Sequence, residues 1–543
     1  MKRFWLLASL LLVPNLPCNA QAPVFYVQAD STVGPNTGFW RATGSDLLFA
    51  LTQRPSGQAL LDRMAATGSH LYLRCHYTLS SRKMFGFQVG GQVYSEDAAG
   101  RPIYHFERIN RIFHEFVRRG LKPVVEYDFL PKALQTTPPN GKNDEGFSAS
   151  HRGPKDWRKW RDLLRSFTQN LADTFGLDEI RNWYFEVWNE PDSWPQDDLA
   201  TFFKMYDVFV DAVKSVDPAL RVGGPACYHE TFLRDFLEHV TRGRNFVTGQ
   251  LGTPIDFISY HIYGLSGSWL NRKPQIQPRV VTFTRSLLWI QRLLKTFPEL
   301  DGVEFHLNEW GLSSHFSKTV FRYPELVYRN NEESALFLVK LVDCLYALHD
   351  SYDFTVSLLG YWGFAWEAEL GQFFRGNRTL TTAGNIPKPI QTAFELLARL
   401  GPQRLAVRGP KPGGRYGLLA TRRTNGRLQL LVYNYAECDD DLSQIDPITV
   451  VIQGLTSRSY LTLNAFVLDR QHLNTFRAWQ AQGSPKSVAE ADLGALWRAA
   501  QLKPTYRFTV PVRDSEAVLQ LYLPRHSLVL LEERPQGSGH SGP

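Results

Sequence analysis

The chain has 543 residues, of which 43% are hydrophobic and 21% are charged, and its formal net charge is +7. This apolar content excludes a disordered chain and is sufficient for a large folded core. Because no dense run of Lys and Arg interleaved with aromatic residues occurs, we expect no nucleic-acid partner.

The first twenty residues have the pattern of a signal peptide. Two basic residues precede an apolar run, 4–13, which is too short to span a bilayer, and small residues precede a cut after Ala20. We therefore expect a secreted or periplasmic protein. The alternative is a lipid anchor at Cys18, although residues 15–17 match a lipobox poorly. No later run is long and apolar enough to predict a membrane span.

From residue 39 onwards, short β-branched or aromatic runs alternate with amphipathic helical stretches, a pattern typical of βα units and a parallel sheet. Four of the helices are predicted at 106–119, 157–175, 199–215 and 332–349. Eight strands are predicted, at 39–44, 71–76, 123–128, 183–188, 221–226, 257–262, 303–308 and 359–364. Since eight βα repeats close naturally into a TIM barrel, we predict an α/β fold with a (β/α)8 barrel over residues 39–398.

After residue 398 the pattern changes to strands without long helices between them. These strands are predicted at 416–423, 428–435, 448–453, 460–468, 508–512 and 518–523. Asn425-Gly426 between two of them predicts a type I′ hairpin. We therefore predict a β-sandwich over 399–534. Residues 21–38 are expected to add a strand, 24–28, to an edge of this sandwich, and 535–543 to form a flexible tail.

The strongest local motif is an aromatic strand that ends in Asn189-Glu190-Pro191. Residues at the carboxyl ends of barrel strands face the mouth in which barrel active sites lie, and Pro191 ends the strand. A carboxyl group beside tryptophans is partly desolvated, which favours a proton-donating role. Glu190 is therefore predicted to be a general acid/base; the alternative is a strand-end glutamate in a salt bridge.

A second carboxylate, Glu309, ends the predicted seventh strand. Strands four and seven lie on opposite sides of a barrel mouth, so Glu190 and Glu309 can face each other across a substrate. Cleavage of a glycosidic bond needs such a pair, because one carboxyl protonates the leaving oxygen while the other attacks the anomeric carbon or activates water. The rival carboxylate, Glu304, lies five residues earlier and is expected to be structural.

Other strand ends carry the polar and aromatic side chains that suit a sugar pocket. His76 follows strand two, Tyr260 to Gly264 end strand six, and Trp362 lies on strand eight. Each is a weak indication alone, since a barrel histidine is often a core residue. Tyr263 is expected either to orient Glu309 or merely to pack.

Several motifs are missing from the sequence. There is no His-Glu-x-x-His, no Gly-rich phosphate loop, no Gly-x-Ser-x-Gly and no Cys-x-x-Cys. We therefore expect no metal and no other cofactor. The four cysteines beyond the signal segment are too few to predict a disulfide framework in so long a chain.

The chain resembles glycoside hydrolase family 39, which contains β-xylosidases and α-L-iduronidases. The resemblance covers nearly the whole mature chain and is carried by 39–41, 74–76, 126–134, 183–191, 222–225 and 260–264, with 474–479 and 483–485 similar to the xylosidase branch. It implies a barrel with an accessory β-sandwich, retention of anomeric configuration, Glu190 as acid/base and Glu309 as nucleophile. It also implies sugar contacts from His76, Asn189, His261, Tyr263, Trp362 and Glu369.

One departure from the family pattern leaves the sugar open. Family xylosidases often carry an Asp a few residues after the strand-eight Trp, where Trp366 stands here. No basic residue that would pair an iduronate carboxylate follows His261 directly, which favours a neutral pentoside. We therefore expect an exo-β-xylosidase acting by double displacement on a glycoside or oligosaccharide. The alternatives are an α-L-iduronidase-like or other pentosidase or uronidase, and a catalytically silent carbohydrate-binding protein on the same fold. Self-association into a homo-oligomer is left open.

Overall fold

The computed structural model describes residues 22–535, except 81–82, 85–86, 137–152, 195–197, 266–276, 316–317, 364–367, 369, 438–440 and 457. The predicted signal segment 1–20 with Cys18, and all but the first residue of the predicted tail, lie outside the described residues. Within the described part of the chain, no helix combines the length and apolarity needed to cross a membrane.

Eight parallel strands close into a barrel, which confirms the predicted fold. They are Ala42–Ser45, Tyr72–Cys75, Lys122–Tyr127, Tyr184–Val187, Arg221–Cys227, Phe257–Tyr263, Glu304–Gly311 and Leu358–Trp362. Each overlaps a predicted strand. The first barrel strand pairs with both the second and the eighth, so the barrel leaves no open edge.

Helices surround this barrel and cover its outer face. They are Leu48–Gln53, Pro55–Thr67, Glu107–Val117, Trp157–Phe175, Leu177–Ile180, Leu199–Lys214, Glu230–Arg242, Val281–Leu294, Glu332–Tyr352 and Pro389–Ala398. The fourth of these shows why the sequence is helical there. The Asp156 carboxylate accepts the N–H groups of Arg158 and Lys159 and so caps the helix start. Its buried residues recur at spacings of three and four, from Trp160 to Leu171.

A second sheet has nine strands and encloses a separate core. Its hydrogen-bonded order is Tyr506–Pro511, Tyr460–Leu468, Ser527–Glu533, Leu428–Asn434, Tyr416–Arg422, Gln403–Arg408, Val24–Pro35, Ile445–Gln453 and Ala517–Pro524. Strands from both ends of this order contribute to one apolar cluster, with members that include Phe25, Val27, Leu430, Ile448, Val450, Leu463, Leu519 and Leu531. Two short helices, Thr475–Ala481 and Leu493–Ala499, follow the strand Tyr460–Leu468.

Two sequence predictions about this sheet were wrong. The N-terminal strand, Val24–Pro35, lies inside the sheet rather than at an edge, because its two sides pair with Gln403–Arg408 and Ile445–Gln453. The predicted hairpin at Asn425-Gly426 forms, but it is not a type I′ turn. Only Gly426 has a positive φ, of 79°, whereas a type I′ turn needs two such residues.

The long helix Glu332–Tyr352 joins the barrel to the nine-stranded sheet. Asp350 on its last turn receives two hydrogen bonds from Arg404, at 2.7 and 2.9 Å. Asp343, fully enclosed on the same helix, accepts a 2.8 Å hydrogen bond from the Tyr433 hydroxyl. These contacts connect the sheet to the barrel through one buried and one exposed carboxylate.

Candidate active site

Glu190 lies just beyond the fourth barrel strand, at the carboxyl end of the barrel. Its backbone is left-handed, with φ 50°, and its N–H donates a 2.9 Å hydrogen bond to the carbonyl of Ala226, near the end of strand five. A left-handed conformation is unfavourable for a residue with a side chain and persists only where its surroundings impose it. The turn directs the Glu190 side chain towards the barrel mouth, where about a fifth of it stays exposed (21%).

Glu309 reaches the same mouth from the seventh strand, and its side chain is only 8% exposed. A carboxylate oxygen of Glu190, one of Glu309 and a ring nitrogen of His261 all lie within 4.8 Å of one another. His261 comes from the sixth strand, and its Nδ1 is 3.0 Å from Glu190 Oε1 and 3.8 Å from Glu309 Oε2. The two predicted catalytic carboxyls therefore lie close together, with an imidazole beside them.

The charges around Glu309 keep it ionised. Burial by itself opposes ionisation, but the positive charges of His261, Arg74 and His76 outweigh it and lower the pKa of Glu309 to about 2. An ionised carboxylate at neutral pH is the form that a nucleophile needs. The more exposed Glu190 has His261 as its hydrogen-bonding neighbour.

Tyr263 orients Glu309. Its hydroxyl donates a 2.6 Å hydrogen bond to Glu309 Oε1, and Arg378 Nη1 donates to the same hydroxyl oxygen from behind. Burial, together with the negative charge of Glu309, keeps the pKa of Tyr263 well above its ordinary value, so the phenol retains the proton that it donates. The sequence leaves open whether Tyr263 orients Glu309 or merely packs, and the structure contains the contact with Glu309.

One guanidinium connects most of the site. Arg74, inside the second strand, donates to Glu186 at 2.6 Å, to Glu309 at 3.0 Å and to Glu126 at 2.5 Å. It also donates to Asn189 Oδ1 at 3.1 Å. The predicted sugar-binding Asn189 is thus held by its oxygen, with its amide nitrogen left to donate. One buried guanidinium therefore contacts all four of these side chains.

The sequence interpretation missed Arg74, Glu126 and Glu186 as site residues. A signal for them exists, because each lies inside an otherwise apolar barrel strand. A charge at such a position is costly unless it is paired. One positive and two negative charges on strands two, three and four therefore predict a buried cluster around the barrel axis.

His76 and Trp362 form the wall next to this cluster. His76 lies between two carboxylates, 2.8 Å from Asp46 and 2.9 Å from Glu126. Burial opposes charge on His76, but these two carboxylates outweigh it and raise its pKa well above the ordinary value. The Trp362 ring lies 4.2 Å from the His76 ring and packs on Gly44, where a Cβ would come within 1.9 Å of the indole.

The rival carboxylate of the sequence argument, Glu304, lies away from this cluster. Glu304 lies at the start of the seventh strand and pairs with the Tyr184 hydroxyl at 2.6 Å and with His306 at 2.9 Å. It is a structural partner at the opposite end of the strand from Glu309, as expected. The predicted sugar contact Glu369 lies outside the described residues.

Among the residues that the structure describes, two groups of side chains have spacings that could hold a metal ion: His76 with Glu126 and Asp128, and Glu190 with His261 and Glu309. In each group one carboxylate already accepts a hydrogen bond from Arg74. The guanidinium therefore competes with any metal cation for these oxygens. The expectation of no metal and no other cofactor stays a prediction.

The chain is similar to known proteins in both sequence and fold. The family model "Glycosyl hydrolases family 39" matches residues 24–517. A "Beta-xylosidase" of Caldicellulosiruptor saccharolyticus is 27% identical over 436 residues, which is 78% of this chain and 82% of that protein. An "Alpha-L-iduronidase" of Mus musculus is 22% identical over 364 residues, 60% of this chain and 54% of that protein. The solved structure of a monomeric beta-xylosidase from Caulobacter crescentus CB15 has a TM-score of 0.77 and 23% identity, and the match covers 95% of this chain and 100% of that one.

Proposed function

The chain belongs to glycosyl hydrolases family 39, and from that membership we propose that it is a retaining exo-β-xylosidase. The family makes it a glycosidase acting on glycosides. The observation that supports the retaining mechanism is the short separation of the two carboxyls, of which one oxygen each lies within 4.8 Å of the other. Retaining enzymes hold their carboxyls about 5–5.5 Å apart, whereas inverting enzymes need about 6.5–9.5 Å to fit a water molecule.

In the proposed first step, Glu309 attacks the anomeric carbon while Glu190 protonates the departing oxygen. The Glu309–sugar ester forms as the glycosidic bond breaks. In the second step, Glu190 takes a proton from water, the water oxygen attacks the anomeric carbon, and Glu309 leaves as a carboxylate. The contacts support this assignment of the two roles. Cations and the Tyr263 hydroxyl favour the ionised form of Glu309, and Glu190 is the more exposed of the two carboxyls.

The test compares identical substitutions at three glutamates. Glu309→Gln is expected to reduce turnover of an aryl β-xyloside about a thousandfold or more, because the covalent step is lost. Glu190→Gln is expected to slow xylobiose far more than an activated aryl xyloside, which needs little protonation. Glu304→Gln is the matched control on the same strand as Glu309 and should keep its activity. Equal losses of both substrates in Glu190→Gln would refute the acid assignment.

The stereochemistry is tested separately by NMR. A double displacement releases β-xylose first from a β-xyloside, with the α-anomer appearing only by mutarotation. Initial release of the α-anomer would refute the retaining mechanism. Binding of glycosides without turnover of any member of an aryl glycoside panel would instead support the catalytically silent alternative.

An iduronidase-like activity is the second candidate, and one observation favours it. Arg378, which comes after the eighth strand, brings a buried cation next to Tyr263 and within electrostatic range of Glu309. A guanidinium at that depth would suit a sugar that carries a carboxylate. The same panel separates the two: a preference for an aryl α-L-iduronide over an aryl β-xyloside would overturn the neutral pentoside.

A further inference from the structure

An exposed aromatic residue stands beside Glu190 at the mouth of the barrel. Tyr228 directly follows the fifth strand and is 39% exposed, although most large aromatic residues of the barrel are buried. The ring of His229 lies 4.3 Å from the Tyr228 ring, at 44°, and His229 is also exposed. Together they form a surface, named here the Tyr228–His229 platform, that no step of the proposed mechanism uses.

Hydrogen bonds attach this platform to the segment that carries Glu190. The N–H groups of Tyr228 and His229 both donate to one oxygen of Asp192, at 2.8 and 2.6 Å. Asp192 lies two residues after Glu190, and the Glu190 N–H donates to Ala226, two residues before Tyr228. The backbone segments that carry the Glu190 carboxyl and the Tyr228 ring are therefore linked to each other at two places.

A further hydrogen bond, from the side chain of Tyr260, holds the backbone of the platform. The Tyr260 hydroxyl donates a 2.7 Å hydrogen bond to the Tyr228 carbonyl, so the backbone is bound through both its N–H and its C=O. Partial burial, with the nearby charges of Asp192 and Glu190, raises the pKa of Tyr228 to about 12. The Tyr228 hydroxyl therefore keeps its proton at neutral pH, and the charge of Glu190 is one of the causes of its raised pKa.

The direction in which a leaving group departs follows from the burial of the two carboxyls. Glu309 is the deeper of the two and Glu190 the more exposed, so the reacting sugar lies on the inner side and its leaving group on the outer side, against Glu190. Aromatic faces bind the C–H surfaces of sugars and stack on aryl rings. Resting on the proposed function, we infer that the Tyr228–His229 platform binds the leaving group, a second pyranose or an aryl ring.

The experiment varies the leaving group at a constant sugar. Tyr228→Ala is expected to lower kcat/KM for xylobiose roughly tenfold, because a stacked ring loses its partner. β-D-xylosyl azide has a leaving group without a ring, so its hydrolysis should change less than about twofold. Tyr228→Phe keeps the aromatic face and should retain most of the xylobiose activity. Phe246→Ala, at an exposed aromatic in the segment that leads into the sixth strand, is the matched control and should change neither rate.

A second readout is transfer to an acceptor. With the azide as donor and xylose as acceptor, Tyr228→Ala and His229→Ala should lower the ratio of transfer to hydrolysis, because the acceptor occupies the leaving-group site. A merely structural role would slow azide and xylobiose equally and leave this ratio unchanged, which would overturn the inference. Unaltered xylobiose kinetics in both variants would overturn it too.

If the proposed β-xylosidase function is wrong, the results differ from those that would overturn the role of the platform. Wild-type protein that cleaves neither xylosyl substrate would refute the sugar assignment and leave all variants equally inactive on xylosides. The comparison is then made with the azide and the disaccharide of whichever sugar the glycoside panel identifies, and the same discrimination by Tyr228→Ala is expected.

Discussion

Arg74→Lys tests the idea that one guanidinium holds the site together. Arg74 is buried in the second strand, and its side chain contacts Glu126, Glu186 and Glu309. The substitution keeps the positive charge, so any effect comes from geometry. A guanidinium offers five N–H groups in a planar fork, whereas an ammonium is a point charge on a flexible stem.

The magnitude follows from the three carboxylate contacts. They use three different nitrogens, Nε to Glu186 at 2.6 Å, Nη2 to Glu126 at 2.5 Å and Nη1 to Glu309 at 3.0 Å. A single Nζ atom cannot occupy all three positions, so at least one buried carboxylate loses its charged donor. Breaking a buried pair in this way costs about 3–5 kcal/mol. We expect the free energy of unfolding to fall by about 3 kcal/mol.

The activity should change in a second, independent way. Arg74 is one of the cations that lower the pKa of Glu309 to about 2 against the effect of burial. A lowered pKa keeps the carboxylate ionised until the pH falls through that value, so losing the Arg74 hydrogen bond moves the acid limb of kcat/KM to higher pH. At neutral pH we expect roughly a tenfold loss, the equivalent of one charged hydrogen bond.

Chemical denaturation and pH–rate profiles of an aryl glycoside measure both effects. The matched control is Arg101→Lys, at an 80% exposed arginine that pairs with Asp97 at 2.7 Å. Exposed pairs contribute less than about 1 kcal/mol, so this control should change neither stability nor the profile. If Arg74→Lys behaves like Arg101→Lys in both assays, the central role of the guanidinium is refuted.

Three further predictions concern single residues. Tyr263→Phe removes the 2.6 Å donor to Glu309 and should lower kcat/KM about ten- to a hundredfold without lowering the melting temperature much; an unchanged kcat/KM would contradict it. Burial raises the pKa of Asp343 to about 6, so between about pH 4 and 6 the folded protein keeps a proton that the unfolded chain releases. The free energy of unfolding should therefore fall by up to about 3 kcal/mol as the pH rises through this window. Asp343→Asn should flatten that decline in urea denaturation curves; an unaltered slope would count against the buried acid. Gly44→Ala would place a Cβ 1.9 Å from the Trp362 ring. This overpacking should lower the free energy of unfolding by about 1–3 kcal/mol. It should also displace the indole, which would be seen as changed tryptophan fluorescence and reduced activity.

The sequence by itself determined the barrel. Strands read as aromatic and β-branched runs because they are buried on both faces, and helices as amphipathic stretches because they cover one side, so local periodicity carried the fold. The ends of strands four and seven predicted the meeting of Glu190 and Glu309, since parallel strands in a closed barrel bring their carboxyl ends to one mouth. The signal segment stays a prediction of the sequence.

Only the tertiary structure decided what surrounds those two carboxyls. Arg74, Arg378 and Asp192 are all distant in sequence from Glu309. Which groups these side chains contact depends on three-dimensional distances that no local sequence pattern encodes. The prediction that the N-terminal strand lies at an edge of the nine-stranded sheet was wrong for the same reason. Strand order is set by long-range pairing, which places Val24–Pro35 inside the sheet. Periodicity is a property of neighbours along the chain, whereas charge pairing and sheet order are properties of neighbours in space.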